Sequence, residues 1–205
     1  MPDFELEKIC GDIVVGIDEA GRGPWAGPVV AGAVVFKDRN HNPELVSMLN
    51  DSKKLSAKKR EEIYEKMQKE AQEGNMLLAI GEASVEEIDN LNILQATFLA
   101  MKRAFDSLNI VPDMILIDGN QRPKNIQFPC KTVVKGDAKC SSISAASILA
   151  KVYRDRLMQK MAEQYPYYGF EKNAGYGTAA HIAGLKEHGI TPIHRRSYKP
   201  IKEFL

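Results

Sequence analysis

Asp18 and Glu19 follow the apolar run Ile13-Val14-Val15-Gly16-Ile17, Asp118 follows Met114-Ile115-Leu116-Ile117, and Asp137 lies just beyond Lys131 to Val134. Each run reads as a buried strand, so four carboxylates occupy similar places at strand ends. Open α/β sheets build their sites outside those ends, where acids distant in sequence can converge. Two carboxylates about 4 Å apart repel by roughly 4 kcal/mol at an effective dielectric of 20, so a converged cluster needs raised pKa values or bound cations. All-oxygen ligands select a hard ion, Mg²⁺ or Mn²⁺. Two such ions support in-line phosphoryl displacement, and phosphodiester hydrolysis is the chemistry to which the set points. Any one acid alone reads more readily as a helix cap or a turn residue, and only their joint placement argues otherwise. Adjacent strand residues face opposite ways, so Asp18 and Glu19 require the strand to end or twist there, which Gly21 and Gly23 permit.

Two further segments could meet a phosphate. Gly21-Arg22-Gly23-Pro24 lets backbone groups approach a ligand closely, and Arg22 adds a phosphate-binding fork, although a generic turn has the same composition. Lys53, Lys54, Lys58, Lys59 and Arg60 place five basic residues in eight positions around an expected helix start. Positive charge there opposes the helix dipole, a conflict that phosphates would resolve. A solvated charged helix face is the alternative.

The elements that must position these residues follow from periodicity and capping. Strands are expected at Ile13–Ile17, Pro28–Phe36, Met76–Ile80, Met114–Ile117 and Lys131–Val134. Ser56 can cap a helix with Ile63, Met67 and Ala71 inward, and Ser84 to Glu87 has capping-box spacing. Leu94, Phe98, Met101, Phe105 and Leu108 form a core-facing helical stripe. A longer helix from about 142 to 162 places Ile143, Ala146, Leu149 and Val152 inward, with Ser144, Ser147, Lys151 and Arg154 on another face. The expectation is an α/β fold: a mixed five-stranded sheet with an early antiparallel meander, helices on both faces, and a helical appendage over about 165–205. With 205 residues, 44% hydrophobic and 27% charged, one domain over 1–205 is expected, and disorder is excluded. No apolar run approaches the ~20 residues of a membrane span, and Met1-Pro2-Asp3-Phe4-Glu5 lacks signal-peptide character, so a cytoplasmic location is expected.

The formal charge of +1 conceals an asymmetry. Residues 1–119 carry 13 basic and 21 acidic side chains, whereas 120–205 carry 15 and 6. A metal site in the first half and a polyanion-facing surface in the second would account for this, but the basic run 53–60 and Asp137 each lie in the opposite half. One groove must therefore draw on both. Cys10, Cys130 and Cys140 are odd in number and form no CxxC pair, so they read as ordinary thiols.

Several long motifs, in order, resemble those of the ribonuclease HII family: Gly16-Ile17-Asp18-Glu19-Ala20-Gly21-Arg22-Gly23-Pro24, Asp51-Ser52-Lys53-Lys54-Leu55, Ile117-Asp118-Gly119-Asn120 and Lys135-Gly136-Asp137. Ser144 to Asp155, Gly175-Tyr176-Gly177-Thr178 and His194-Arg195-Arg196-Ser197-Tyr198 continue the match. The resemblance implies an RNase H-like fold and a metal-dependent endonuclease acting on RNA–DNA hybrids, or 5′ to a ribonucleotide embedded in duplex DNA, leaving 5′-phosphate and 3′-hydroxyl ends. It places Asp18, Glu19, Asp118 and Asp137 as catalytic acids holding two Mg²⁺ or Mn²⁺ ions. It places Gly21, Arg22 and Gly23 at the ribose 2′-hydroxyl, Tyr176 at the sugar on the deoxyribose side, and Lys53, Lys54 and Lys151 near phosphates. A 2′-hydroxyl read by backbone groups needs no base sequence, so broad base tolerance is expected. Ala174 departs from the basic residue of many relatives, which puts one phosphate contact in doubt. Arg22 separates the chain from the sister type HIII, which usually has lysine there.

His41, His181, His188 and His194 show no ligand spacing and read as surface or hydrogen-bonding residues. Asp155 reads as an ion-pair partner and Trp25 as core with an exposed edge. A monomer acting on nucleic acid, with no membrane association, is expected. A non-catalytic nucleic-acid-binding module is the competing reading, marked by salt-dependent binding indifferent to divalent metal.

Overall fold

Every residue of Val29–Phe36 is buried, as expected of a strand covered on both faces. In the computed structural model, which describes residues 1–205, this strand is β2. It shares one sheet with β1 (Val14–Ala20), β3 (Met76–Ala83), β4 (Met114–Asp118) and β5 (Cys130–Val133), in the order β3-β2-β1-β4-β5. β1, β2 and β3 form an antiparallel meander, and β4 and β5 add in parallel. The helices are α1 (Glu5–Cys10), α2 (Pro43–Met48), α3 (Ala57–Gln72), α4 (Val85–Leu91), α5 (Ile93–Ser107), α6 (Ser141–Gln164), α7 (Phe170–Asn173), α8 (Ala179–His188) and α9 (Lys199–Lys202). Ser56 and Ser84 cap α3 and α4 as their spacing predicts, the latter through a complete capping box.

α5 covers one face of the sheet, against Val15, Ile17, Ile115 and Ile117. α6 and α3 cover the other, where Ile63, Met67, Ala145 and Leu149 meet Val34 and Phe36. The structure sharpens two expectations. The buried side of α5 is Ala96, Ala100, Met101, Ala104 and Phe105, while Leu94, Phe98 and Leu108 are only half-buried. Small residues win because helix and sheet touch at Gly81, where a Cβ would lie 2.2 Å from the Ala100 carbonyl oxygen. The second stripe of α6 is also enclosed: Ser144, Ser147 and Arg154 are all buried.

The same close approach fixes α6. A Cβ on Gly16 would lie 2.2 Å from the Ser142 carbonyl carbon, and one on Gly32 would lie 2.5 Å from the Ala146 oxygen. Backbone cannot yield as a side-chain tip can, so Gly16→Ala is expected to destabilise the protein by about 1–3 kcal/mol. An unchanged midpoint in chemical denaturation would refute this close-packing account.

The last 40 residues, helical as expected, are tied to the segment between β1 and β2. Ala26 pairs with His194, the Gly27 amide donates to Ile193, and the Arg195 amide donates to Trp25. Ala26, Met158, Tyr168, Phe170, Leu185 and Ile201 form a small separate core beneath this junction.

Candidate active site

β1 and β4 pair in parallel with Ile17 beside Ile117, so one step further Asp18 and Asp118 lie side by side. Both alternate onto the α6 face. Of the end or twist expected at Asp18 and Glu19, the end is absent: β1 runs through both residues to Ala20. Glu19 therefore faces the other way, where with Asp118 it borders a hollow lined by Thr97, Phe98 and Met101 of α5. The two acids nevertheless line one cleft, beside the point where β4 stops at Asp118 while β1 continues to Ala20. Asp137 sits on a 3₁₀ turn, Gly136–Ala138, directly after β5. The Gly136 amide donates to Asp118 Oδ1 at 2.7 Å, which ties that turn to the end of β4.

The charges in this cluster interact. Asp18 is buried, and burial followed by the charges of Glu19 and Asp118 pushes its carboxyl well above the usual range, against the opposing pull of Ser147 and of the hydrogen bond from the Glu19 amide. Burial also raises Glu19, while Arg22 pulls it down, with Nη1 3.3 Å from Oε1. Asp137 is raised by burial and then by Asp118 and Asp51. Neither Asp18 nor Asp118 has an ion-pair partner. Crowded, uncompensated oxygens fit a hard divalent cation by donor chemistry and by charge.

A second group, His41, Glu70 and Glu73, also brings potential ligand atoms within 4.8 Å of one another. It lies at the opposite end of the sheet, beside the Phe36–Met76 pair. Asn42 and Asn75 hydrogen-bond the Glu70 carboxylate and hold it below its usual range. That carboxylate is already satisfied as an anion, unlike Asp18.

The cleft encloses about 330 Å³, and Gly21, Arg22, Gly23, Lys53, Lys151 and Tyr176 line it with three of the acids. Asp137 does not line it but feels the charge of Asp118. Lys54 is exposed and does not line the cleft. The basic run divides according to the partners that its side chains find. Lys59 pairs with Glu62, and Arg60 folds back onto the Ser52 and Leu55 carbonyls. Lys151 is held at 2.6 Å by Asp155, which is an ion-pair partner as expected. Trp25 is half-buried, and a Cβ on Gly177 would collide with its ring.

Sequence reasoning underrated two arginines. Arg154 and Arg195 are fully buried with no carboxylate partner. Arg195 donates to the carbonyls of Gly21, Arg22, Gly27 and Pro28, and Arg154 donates to those of Ala26, Pro28 and Ala174. Burial and Arg195 together hold Arg154 down to about 10. The loop's carbonyls are thus drawn inward, and the Arg22 and Gly23 amides have no protein acceptor. Membership of the motifs was the only advance signal for Arg195.

Comparison with known proteins agrees with this arrangement. The family model described as Ribonuclease HII matches residues 15–201. The Ribonuclease HII of Gluconobacter oxydans is 52% identical over 205 residues, covering 100% of this chain and 97% of the relative. That of Acinetobacter baylyi is 52% identical over 193 residues, covering 94% and 98% respectively. The crystal structure of the ribonuclease H2 of Pyrococcus horikoshii aligns with a TM-score of 0.74 at 30% identity, covering 94% of this chain and 96% of that one. Kinship that runs from the first strand to the last helix makes this chain a member of the ribonuclease HII family.

Proposed function

We propose that this chain is an endoribonuclease that hydrolyses the RNA strand of RNA–DNA hybrids and cuts 5′ to a ribonucleotide embedded in duplex DNA, leaving 5′-phosphate and 3′-hydroxyl ends. The observation that carries the reading is the parallel register that sets Asp18 beside Asp118, next to a loop whose carbonyls are tied inward. Asp18, Glu19, Asp118 and Asp137 would hold two Mg²⁺ or Mn²⁺ ions, whose chemistry is to acidify water and offset charge on the leaving oxygen.

The chain's own residues supply recognition. A ribose 2′-hydroxyl both donates and accepts, and it is the group that separates RNA from DNA at one position. The Arg22 and Gly23 amides offer donors to it without reading the base. Tyr176 is 50% exposed, and its Cε1 lies 3.2 Å from where a Gly23 Cβ would be. The ring therefore flanks the same loop and crowds the adjoining sugar. Lys53 and Lys151 face the phosphates, Lys54 contributes farther out, and Arg22 exchanges its contact with Glu19 for substrate. No helix is long and apolar enough to cross a membrane, and we place the activity in the cytoplasm, in one monomeric unit spanning 1–205.

The test is a duplex carrying one ribonucleotide, incubated with Mg²⁺ or Mn²⁺ beside an all-DNA control. A cut on the 5′ side of the ribonucleotide alone is expected. Salt-dependent binding with no metal-dependent cleavage would instead support a non-catalytic binding module. Tyr176→Ala is expected to slow this cut about tenfold or more, in the range lost when a substrate is misplaced. Kinetics unchanged from the unaltered protein would remove Tyr176 from recognition.

A further inference from the structure

Two of the four histidines are neither surface residues nor isolated. His181 and His194 are fully buried, and their Nε2 atoms lie 2.9 Å apart. The proton positions follow from the outer partners. The Thr191 amide can only donate, and it donates to His194 Nδ1 at 2.9 Å. That nitrogen is therefore bare, so Nε2 of His194 carries the hydrogen and donates it to Nε2 of His181. His181 must then be protonated on Nδ1, which lies 3.0 Å from the Tyr176 carbonyl oxygen. All four ring nitrogens are used in one direction, from the Thr191 amide to the Tyr176 carbonyl. A second proton on either ring would set two donors against each other.

The surroundings favour this neutral state. Trp25, Tyr168 and Phe170 pack around the pair. Among charged groups, Arg195 adjoins His194 in the chain but directs its guanidinium to the loop carbonyls, and no carboxylate faces either ring. Burial, then the neighbouring His181, holds His194 down to about 4. Its folded value lies below the unfolded one, so its contribution to stability is present above about 6.5 and is lost as pH falls through the folded value.

The turn carrying His194 also carries Arg195. One dipeptide thus ties the Tyr176 carbonyl through the histidine pair and the Gly21 and Arg22 carbonyls through the guanidinium. We propose that His181 and His194, as a neutral pair of fixed tautomer, are positioning residues that set the gap between the Tyr176 ring and the Gly21–Gly23 loop, and thereby the discrimination between sugars at the cut. This rests on the reading that Tyr176 contacts the sugar on the deoxyribose side.

Three measurements test it. Nitrogen-15 spectra of the unaltered protein at neutral pH should show His194 protonated at Nε2 only and His181 at Nδ1 only, with His194 not titrating over about pH 5 to 8, where an ordinary histidine does, and His181 titrating below an ordinary histidine. The opposite tautomer, or an ordinary titration, overturns the proposal without any variant having to fold. His181→Phe and His194→Phe keep a ring in place but remove the chain of hydrogen bonds. Each should lower the ratio of single-ribonucleotide to long-hybrid cleavage about tenfold, a loss typical of misplacing a positioning group. Each should also leave Mn²⁺ affinity, read by calorimetry, unchanged. In a Tyr176→Ala background the same substitutions should have no further effect on the ratio, whereas a general weakening of the fold would add to it. If Tyr176→Ala lowers the ratio and the phenylalanine variants do not, the positioning role fails alone. If Tyr176→Ala leaves the ratio unchanged, the reading of Tyr176 falls and this inference falls with it.

Discussion

Asp118→Asn is expected to reduce cleavage of the single-ribonucleotide duplex by about a thousandfold, the scale of losing a group that acts in the transition state, while affinity for that duplex stays near its original value. The substitution is conservative in shape. Asparagine keeps an oxygen to accept the Gly136 amide that now bonds Asp118 Oδ1, so the turn bearing Asp137 should hold its place. What disappears is a negative charge that raises both Asp18 and Asp137. With that repulsion relieved, the metal-free variant should melt at a temperature equal to or above that of the unaltered protein. Activity lost without stability lost is the signature of an acid retained for chemistry at the expense of the fold. The checks are cleavage kinetics, duplex binding and a metal-free thermal melt. A lowered melting temperature, or binding lost in proportion to cleavage, would show that Asp118 supports structure instead.

Arg195→Met should have the opposite signature. Four loop carbonyls and the Tyr198 hydroxyl rely on this guanidinium, and a methionine of similar length supplies no donor. Leaving such groups buried without partners should cost about 3–5 kcal/mol, in line with removing one partner of a buried charged network. At roughly 2–4 °C per kcal/mol for a chain of this size, the melting temperature should fall by about 10 °C. Cleavage should fall as well, because the Gly21 and Arg22 carbonyls lose the guanidinium that draws them inward. Arg195→Lys is the sharper variant: it keeps the charge but has no planar fork to reach several carbonyls at once. It is expected to lose most of what methionine loses. A lysine variant with the stability and cleavage of the unaltered protein would show that charge alone, not the fork, orders the loop.

Much of the frame was legible in advance. All five strands, the serine caps of α3 and α4, and the long α6 follow from apolar runs and capping spacing, which depend on residues within a few positions of one another. Ends were less legible. The rule that adjacent residues face opposite ways called for an end or a twist at Asp18 and Glu19, but β1 runs on to Ala20 while β4 stops at Asp118, and both acids line one cleft there. The α5 stripe was legible in part: Met101 and Phe105 are buried and Phe98 and Leu108 pack against the same core, but the closest contact, at Gly81, goes to the small residues beside them. The five basic residues from Lys53 to Arg60 looked alike as a run. They diverge because Glu62 and two backbone carbonyls claim Lys59 and Arg60, leaving Lys53 to the cleft.

By itself the sequence determined the kind of chemistry: oxygen ligands at strand ends, a glycine loop able to present backbone, and motifs that resemble those of one family. Tertiary structure alone decided how those parts act together. Asp18 and Asp118 are a hundred residues apart, and their pairing depends on the register of two strands that local periodicity does not encode. Arg154, Arg195, His181 and His194 take backbone amides and carbonyls as partners, and those groups occur all along the chain, so no spacing of side chains reveals which ones will be met. Burial then gives those contacts their weight, since a charge or an imidazole removed from water must be fully satisfied by whatever the fold brings to it.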